Sequence, residues 1–186
     1  MRVIAGRAKG RKLKVPASSS DRRVRPLTDQ AKEALFNILG DMVPESYFLD
    51  LFAGTGSVGI EALSRGARLA IFVELERSVV STIRENLVSC GLDDSAEVYS
   101  LDVLRAIRVL DLKKSRFDIV YLGAPYDSPM LEKALDLIQQ SNIINESGVV
   151  VAEHRAKHVI SPAFGNLINV RDARYGDTVL SFYKRS

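Results

Sequence analysis

The stretch Phe48-Leu49-Asp50-Leu51-Phe52-Ala53-Gly54-Thr55-Gly56-Ser57-Val58-Gly59 constrains the fold more than any other part of the chain. A short apolar run with an acid near its end, then glycines, then Ile60-Glu61-Ala62-Leu63-Ser64-Arg65 closed by Gly66, predicts strand, tight turn and helix. Such a unit forms a nucleotide-type pocket. Gly54 and Gly56 carry no Cβ and let the backbone approach a ligand, while Gly59 lets the helix pack closely on the sheet.

The spacing of the three glycines also satisfies G-x-G-x-x-G, a dinucleotide pattern. Asp50 argues against a dinucleotide, because a carboxylate at the strand end repels a pyrophosphate seated at the helix N-terminus. S-adenosylmethionine (SAM), with a cationic sulfonium, an ammonium and no phosphate, suits an acid there. Glu74 closes the next apolar run, Leu69-Ala70-Ile71-Phe72-Val73, where an acid can accept hydrogen bonds from both ribose hydroxyls. The plainer reading makes Asp50 a turn cap and Glu74 an exposed strand end.

The rest of the chain alternates in the same way. Thr28 is a candidate N-cap for a helix with Ala31, Ala34, Leu35, Ile38 and Leu39 on one stripe, stopped by Gly40 and Pro44. After the strand at 69–73 come a helix from Arg77 to Cys90, a strand at Ala96–Tyr99 and a helix from Val103 to Leu110. A strand at Asp118–Leu122, a helix from about Pro129 to Gln140 and a strand at Gly148–Glu153 follow. Two runs, Leu167–Ala173 and Thr178–Tyr183, finish the chain around Tyr175-Gly176-Asp177. Apolar strands separated by helices imply an α/β fold with a mostly parallel sheet covered on both faces, and the terminal hairpin implies one antiparallel strand.

A chain of 186 residues, 46% of them hydrophobic and 26% charged, builds one ordinary domain. Cys90 is the only cysteine, which excludes an internal disulfide and a cysteine-based metal site. The start, Met-Arg-Val-Ile-Ala-Gly-Arg, has no apolar core of signal-peptide length, and no segment reaches membrane-span length, so a cytoplasmic location is expected. The net charge of +3 hides an asymmetry: residues 1 to 25 carry nine bases against Asp21 alone and total +8, so the remainder sums to −5. A basic leader of this kind, including Arg2, Arg7, Lys9, Arg11 and Lys12, is the footprint of a phosphate-backbone contact. Within it Val3-Ile4-Ala5 and Leu13-Lys14-Val15 predict a small hairpin, and Ala17–Arg23 a mobile connector.

In an open α/β sheet, ligands bind beyond the carboxyl ends of the strands, which shortlists Asp50 with its glycines, Glu74, Asp102 and the turn Gly123-Ala124-Pro125-Tyr126. Asp102 can accept from an adenine amine or cap its own helix. At this point the chain resembles the RsmD-type SAM-dependent methyltransferases of small-subunit ribosomal RNA, which modify a guanine N2. The resemblance rests on Arg2–Gly6 with Gly10–Leu13, on Arg25-Pro26-Leu27-Thr28-Asp29 leading to Glu33–Leu39, and on Asp50–Gly56. It extends through Gly59–Ala67, Glu74, Asn86-Leu87 and Tyr175–Thr178. It implies the class I methyltransferase fold, Rossmann-like, with a seven-stranded sheet at 26–186 and a basic extension at 1–25 that docks rRNA or a small-subunit particle. It further implies that Asp50, Ala53, Gly54 and Gly56 surround the methionine portion of SAM, Glu74 the ribose, and Asp102 with Val103 the adenine. A monomer is expected, with no membrane partner and no metal.

One position departs from the family pattern. The fourth strand of such enzymes ends in Asp or Asn, Pro, Pro, then Tyr or Phe, whereas here Gly123, Ala124, Pro125 and Tyr126 stand there. The exocyclic amine of guanine is a poor nucleophile, and two acceptors that pull its hydrogens help its nitrogen attack a methyl group. Gly123 has no side chain for this, although the Ala124 carbonyl and a stacking Tyr126 remain, and Asp127 is close in sequence. The alternative is therefore a non-catalytic rRNA-binding assembly factor that keeps the fold; an NAD-dependent oxidoreductase is disfavoured by Asp50 and the leader. His154 and His158, which lack an H-E-x-x-H pattern, read as surface histidines.

Overall fold

The computed structural model describes residues 1–16, 27–126 and 128–186. The connector Ala17–Arg23, the Arg25-Pro26 half of the motif before the first helix, and Asp127 lie outside the described residues. Helix α1 (Asp29–Leu39) starts where Thr28 Oγ1 accepts from the Ala31 N–H at 3.2 Å and ends at Gly40 with φ of 50°. Strand β1 (Tyr47–Leu51), α2 (Ser57–Ser64), β2 (Leu69–Glu74), α3 (Arg77–Cys90), β3 (Ala96–Ser100), α4 (Val103–Leu112), β4 (Phe117–Leu122), α5 (Met130–Gln140) and β5 (Ile144–Arg155) follow in alternation. The chain closes with β6 (Ala163–Phe164), β7 (Leu167–Tyr175) and β8 (Thr178–Arg185).

These strands form one sheet in the order β3-β2-β1-β4-β5-β8-β7-β6. β3, β2, β1, β4 and β5 pair in parallel, and β8 inserts antiparallel between β5 and β7. The sheet has eight strands rather than the seven expected, because Ala163 and Phe164 pair with Ile168 and Leu167. A two-residue strand offers no periodicity by which the sequence could announce it.

Alternate residues of the central strands feed two cores, as burial on both faces requires. Phe48, Ala70, Phe72, Ile119 and Val151 pack with Leu35, Phe36, Ile60, Leu63 and Ile83 on the face covered by α1, α2 and α3. Leu49, Leu51, Ile71, Val120 and Val150 pack with Ile107, Leu110, Leu135 and Ile138 from α4 and α5 on the other. The buried side of α1 is rotated from the stripe read in sequence: Lys32 and Phe36 are buried with Ala31, Leu35 and Leu39, while Ala34 and Ile38 are half-buried.

Lys32 goes inside because the leader packs there. Val3, Ala8 and Leu13 join the first core, and the expected hairpin is a turn closed by one antiparallel bridge, Arg2 with Lys12. Buried Glu61 accepts from the Ile4 and Ala5 N–H groups at 2.8 and 2.9 Å and from Arg65 Nε at 2.8 Å. Lys32 Nζ lies 3.5 Å from Glu61 and donates to Arg2 O at 2.8 Å and to Ser57 Oγ at 2.9 Å. Burial pulls the Lys32 ammonium below its ordinary pKa, and Glu61 and Asp29 oppose that shift. Asn86 ties Lys14, through both its backbone N–H and carbonyl, to the Thr55 carbonyl. The leader is thereby hydrogen-bonded to the glycine loop itself. Arg2, Arg7, Lys9, Arg11 and Lys12 stay exposed on its outer side.

Candidate active site

The parallel strands deliver Asp50, Glu74, Asp102 and the Gly123–Tyr126 turn to one edge of the sheet, the carboxyl edge. Backbone hydrogen bonds beyond the strand ends knit the loops together: Ala53 N–H to Val73 O at 2.9 Å, Leu101 N–H to Glu74 O at 3.2 Å, and Gly123 N–H to Leu51 O at 3.2 Å.

Asp50 is buried, with Oδ2 accepting from the Gly59 N–H at 2.9 Å, one of the donors left over in the first turn of α2. It does therefore cap a helix. Burial nevertheless pushes its pKa from 3.8 up to about 8; the Gly59 bond opposes this, while Glu74 and Glu153 add to it. Among the described residues no basic side chain forms an ion pair with Asp50. A buried carboxylate in that condition favours a cation brought to it.

The glycines around it serve different ends. Gly56 has φ of 78°, and a Cβ there would point inward at Ile83, Ile60 and Phe72 at 3.2 to 3.4 Å, so this glycine answers backbone conformation and core packing rather than ligand clearance. A Cβ on Gly59 would come within 2.4 Å of the Phe72 ring, the close helix-to-sheet approach that the sequence predicts. Glu74 accepts from the Gly54 N–H at 3.0 Å through Oε2 and from the Leu75 and Glu76 N–H groups at 2.8 and 3.0 Å through Oε1. Three of roughly four carboxylate lone-pair positions are thus used, and the carboxylate is locked in orientation. Asp102 caps α4, its Oδ1 accepting from the Leu104 and Arg105 N–H groups at 3.0 and 3.2 Å, with Val103 buried behind it.

At the fourth-strand turn, Ala124 is buried and Tyr126 half-buried. The Tyr126 hydroxyl donates to Glu153 Oε1 at 2.9 Å and lies 3.1 Å from Thr178 Oγ1, which brings the C-terminal hairpin to the site. The Arg155 guanidinium lies 4.9 Å from the Tyr126 ring centre. Tyr121, buried on β4, donates to Glu153 Oε2. Burial raises the pKa of Glu153, and the two phenol bonds oppose the rise. Ala124, Pro125, Tyr126, Leu131, Glu153 and Arg155 are among the residues lining a shallow depression here.

Sequence reasoning passed over Glu153 and Tyr121. Glu153 did carry a signal: like Asp50 and Glu74 it ends an apolar strand, Val149-Val150-Val151-Ala152. Tyr121 carried none, since an aromatic within an apolar strand reads as core. His154 is not a surface residue; it is buried, with Nε2 2.8 Å from Ser181 Oγ and Nδ1 3.0 Å from the Arg155 carbonyl, because β8 covers it. No cluster of His, Cys, Asp or Glu among the described residues is arranged to hold a metal, and none of their helices is long and apolar enough to cross a membrane.

Residues 1–184 match the family described as conserved hypothetical protein 95. A Bacillus subtilis (strain 168) protein named "Putative rRNA methyltransferase YlbH" is 38% identical over 185 residues, covering 100% of this chain and 99% of that one. The Escherichia coli (strain K12) "Ribosomal RNA small subunit methyltransferase D" is 30% identical over 185 residues, covering 100% and 90% respectively. Among solved structures, the one titled "Putative methyltransferase yhhF from Escherichia coli" superposes with a TM-score of 0.85 at 29% identity, covering 100% of this chain and 98% of that one. The fold is that of the class I methyltransferases.

Proposed function

This chain belongs to the conserved hypothetical protein 95 family, and on that premise we propose that it is a SAM-dependent methyltransferase of the exocyclic N2 amine of a guanine in small-subunit ribosomal RNA. The observation that carries the reading is the convergence on one sheet edge of a buried carboxylate without a cationic partner among the described residues, a glycine turn held by Glu74, and the Ala124–Tyr126 turn. The names of the matched relatives support the reaction and the RNA class.

Asp50, Ala53, Gly54 and Gly56 would hold the methionine portion of SAM, Glu74 the ribose, and Asp102 with Val103 the adenine. When bound, SAM supplies a methyl group made electrophilic by the sulfonium. Asp50 offers the ligand's cationic end a charge in a site shielded from water, where it counts for more than in bulk solvent. At the turn, the Ala124 carbonyl accepts one hydrogen of the amine, which raises electron density on nitrogen. Tyr126 offers its ring to a base swung out of its stack, held in place by its hydroxyl bonds to Glu153 and Thr178. Residues 1–25 act as the RNA-docking extension of a catalytic domain at 26–186, with Arg2, Arg7, Lys9, Arg11 and Lys12 against phosphates. The protein works as a monomer on rRNA or on a small-subunit particle.

Gly123 favours a second reading, a non-catalytic rRNA-binding assembly factor with the same fold. Labelled-methyl transfer to small-subunit particles lacking the modification, followed by nuclease mapping, separates the two. The enzyme places label on N2 of one guanosine; label on another atom or base overturns the assignment, and no transfer to particles that demonstrably bind favours the assembly factor.

A further inference from the structure

We propose that Glu153 is the side-chain acceptor for the target amine, replacing the acid or amide that position 123 lacks. The inference rests on the amine-methylating function proposed above.

Gly123 is not a glycine for conformational reasons, since its φ lies outside the left-handed region occupied by Gly54, Gly56 and others. What crowds a side chain there is the Tyr121 ring. A Cβ on residue 123 would lie 3.0 Å from Tyr121 Cε1 and 3.6 Å from Glu153 Oε2. The parallel register of β4 and β5 explains the coincidence. Leu122 pairs with Ala152, so the next residue pair is Gly123 beside Glu153, at the carboxyl edge of the sheet. The carboxylate thus stands within contact distance of the place where a side chain rooted at 123 would begin, while the Tyr121 ring crowds that place.

Glu153 keeps acceptor capacity beyond its two phenol bonds. It is 6% exposed and accepts from the hydroxyls of Tyr121 and Tyr126; no lysine or arginine among the described residues pairs with it. Each phenol occupies one lone pair of a different carboxylate oxygen, so the ionised carboxylate has further acceptor positions to offer. Glu153 lines the same depression as Ala124, Pro125 and Tyr126. On this proposal the Glu153 carboxylate and the Ala124 carbonyl accept the two hydrogens of the amine. As nitrogen's lone pair forms the new bond to the methyl carbon, the carbon–sulfur bond breaks with its electron pair leaving to sulfur, and the excess proton on nitrogen passes to the Glu153 carboxylate. Burial, which raises the basicity of that carboxylate, suits it to receive the proton.

The test combines a protein variant with an RNA variant. Inosine in place of the mapped guanosine removes only the exocyclic amine. With the demethylated product of SAM bound, the wild type should prefer guanosine RNA over inosine RNA by about tenfold or more, as expected of a hydrogen bond to a charged acceptor. Glu153→Gln should reduce that ratio several-fold and slow single-turnover methyl transfer about tenfold or more, while cofactor affinity stays within about twofold. An unchanged ratio overturns the inference, even if turnover falls, because a structural tie between two tyrosines has no reason to sense the amine. If Glu153→Gln does not fold, as judged by loss of cofactor binding, Glu153→Asp is read by the same ratio, since a carboxylate shortened by one methylene loses the amine as well. Absence of transfer by the wild type itself overturns the proposed function, a result distinguishable from the failure of Glu153 alone.

Discussion

Asp50→Asn removes a buried ionisable group while keeping an oxygen that can accept from the Gly59 N–H. In the native protein the carboxyl is pushed from 3.8 to about 8, so between those values the folded state holds a proton that the unfolded chain has released. Stability therefore falls as pH rises through this window. It is unaffected by Asp50 below about pH 4, where both states are protonated, and bears the full cost above about pH 8. A displacement of about four units, at ~1.4 kcal/mol each, amounts to up to about 6 kcal/mol. Asp50→Asn carries no such penalty, so the stability difference between variant and wild type should widen by up to about 1.4 kcal/mol per pH unit across the window. Urea unfolding of both proteins at several values between about pH 4 and 9 measures it. SAM should reverse the ranking: its cationic end favours ionised Asp50, so binding near neutrality should release close to one proton from the wild type and none from the variant. Calorimetry in buffers of different ionisation enthalpy counts that proton. A variant-minus-wild-type difference that stays flat with pH, or equal proton release by both, would refute the account of Asp50.

Reversing the charge of Arg7, Lys9, Arg11 and Lys12, all exposed, should weaken RNA binding and flatten its logarithmic salt dependence by about 0.7 to 0.9 for each phosphate that the leader no longer neutralises, with thermal stability unchanged; filter binding across a salt series measures this. Glu61→Ala should cost about 3 to 5 kcal/mol in urea unfolding, because it strips partners from the Ile4 and Ala5 N–H groups, Lys32 and Arg65 at once, and should hasten proteolysis of the leader. Gly59→Ala, whose methyl would meet the Phe72 ring at 2.4 Å, should cost about 1 to 3 kcal/mol in the same assay and weaken SAM binding by shifting the start of α2.

The alternation of apolar strands with helices, the glycine turn and the acids at strand ends are local patterns, and the sequence alone determined them along with the class of fold. Hydrophobic period and turn chemistry act over a few residues, so α3 at Arg77–Cys90 and the Thr28 cap could be read directly. Partnerships between residues far apart in sequence were decided only by the tertiary structure. Lys32 is buried because Glu61, 29 residues later, and the Arg2 carbonyl meet it across a packed leader; nothing near Lys32 in the chain marks it as buried. The basic leader read as a separate extension because its charge is visible in sequence, whereas its anchoring through Val3, Ala8 and Leu13 depends on a face built by α2 and α3. The same holds at the site. Gly123 looks like a loss when the turn is read along the chain, but the register of β4 against β5 sets Glu153 in the space beside it, and strand register is a property of the folded sheet.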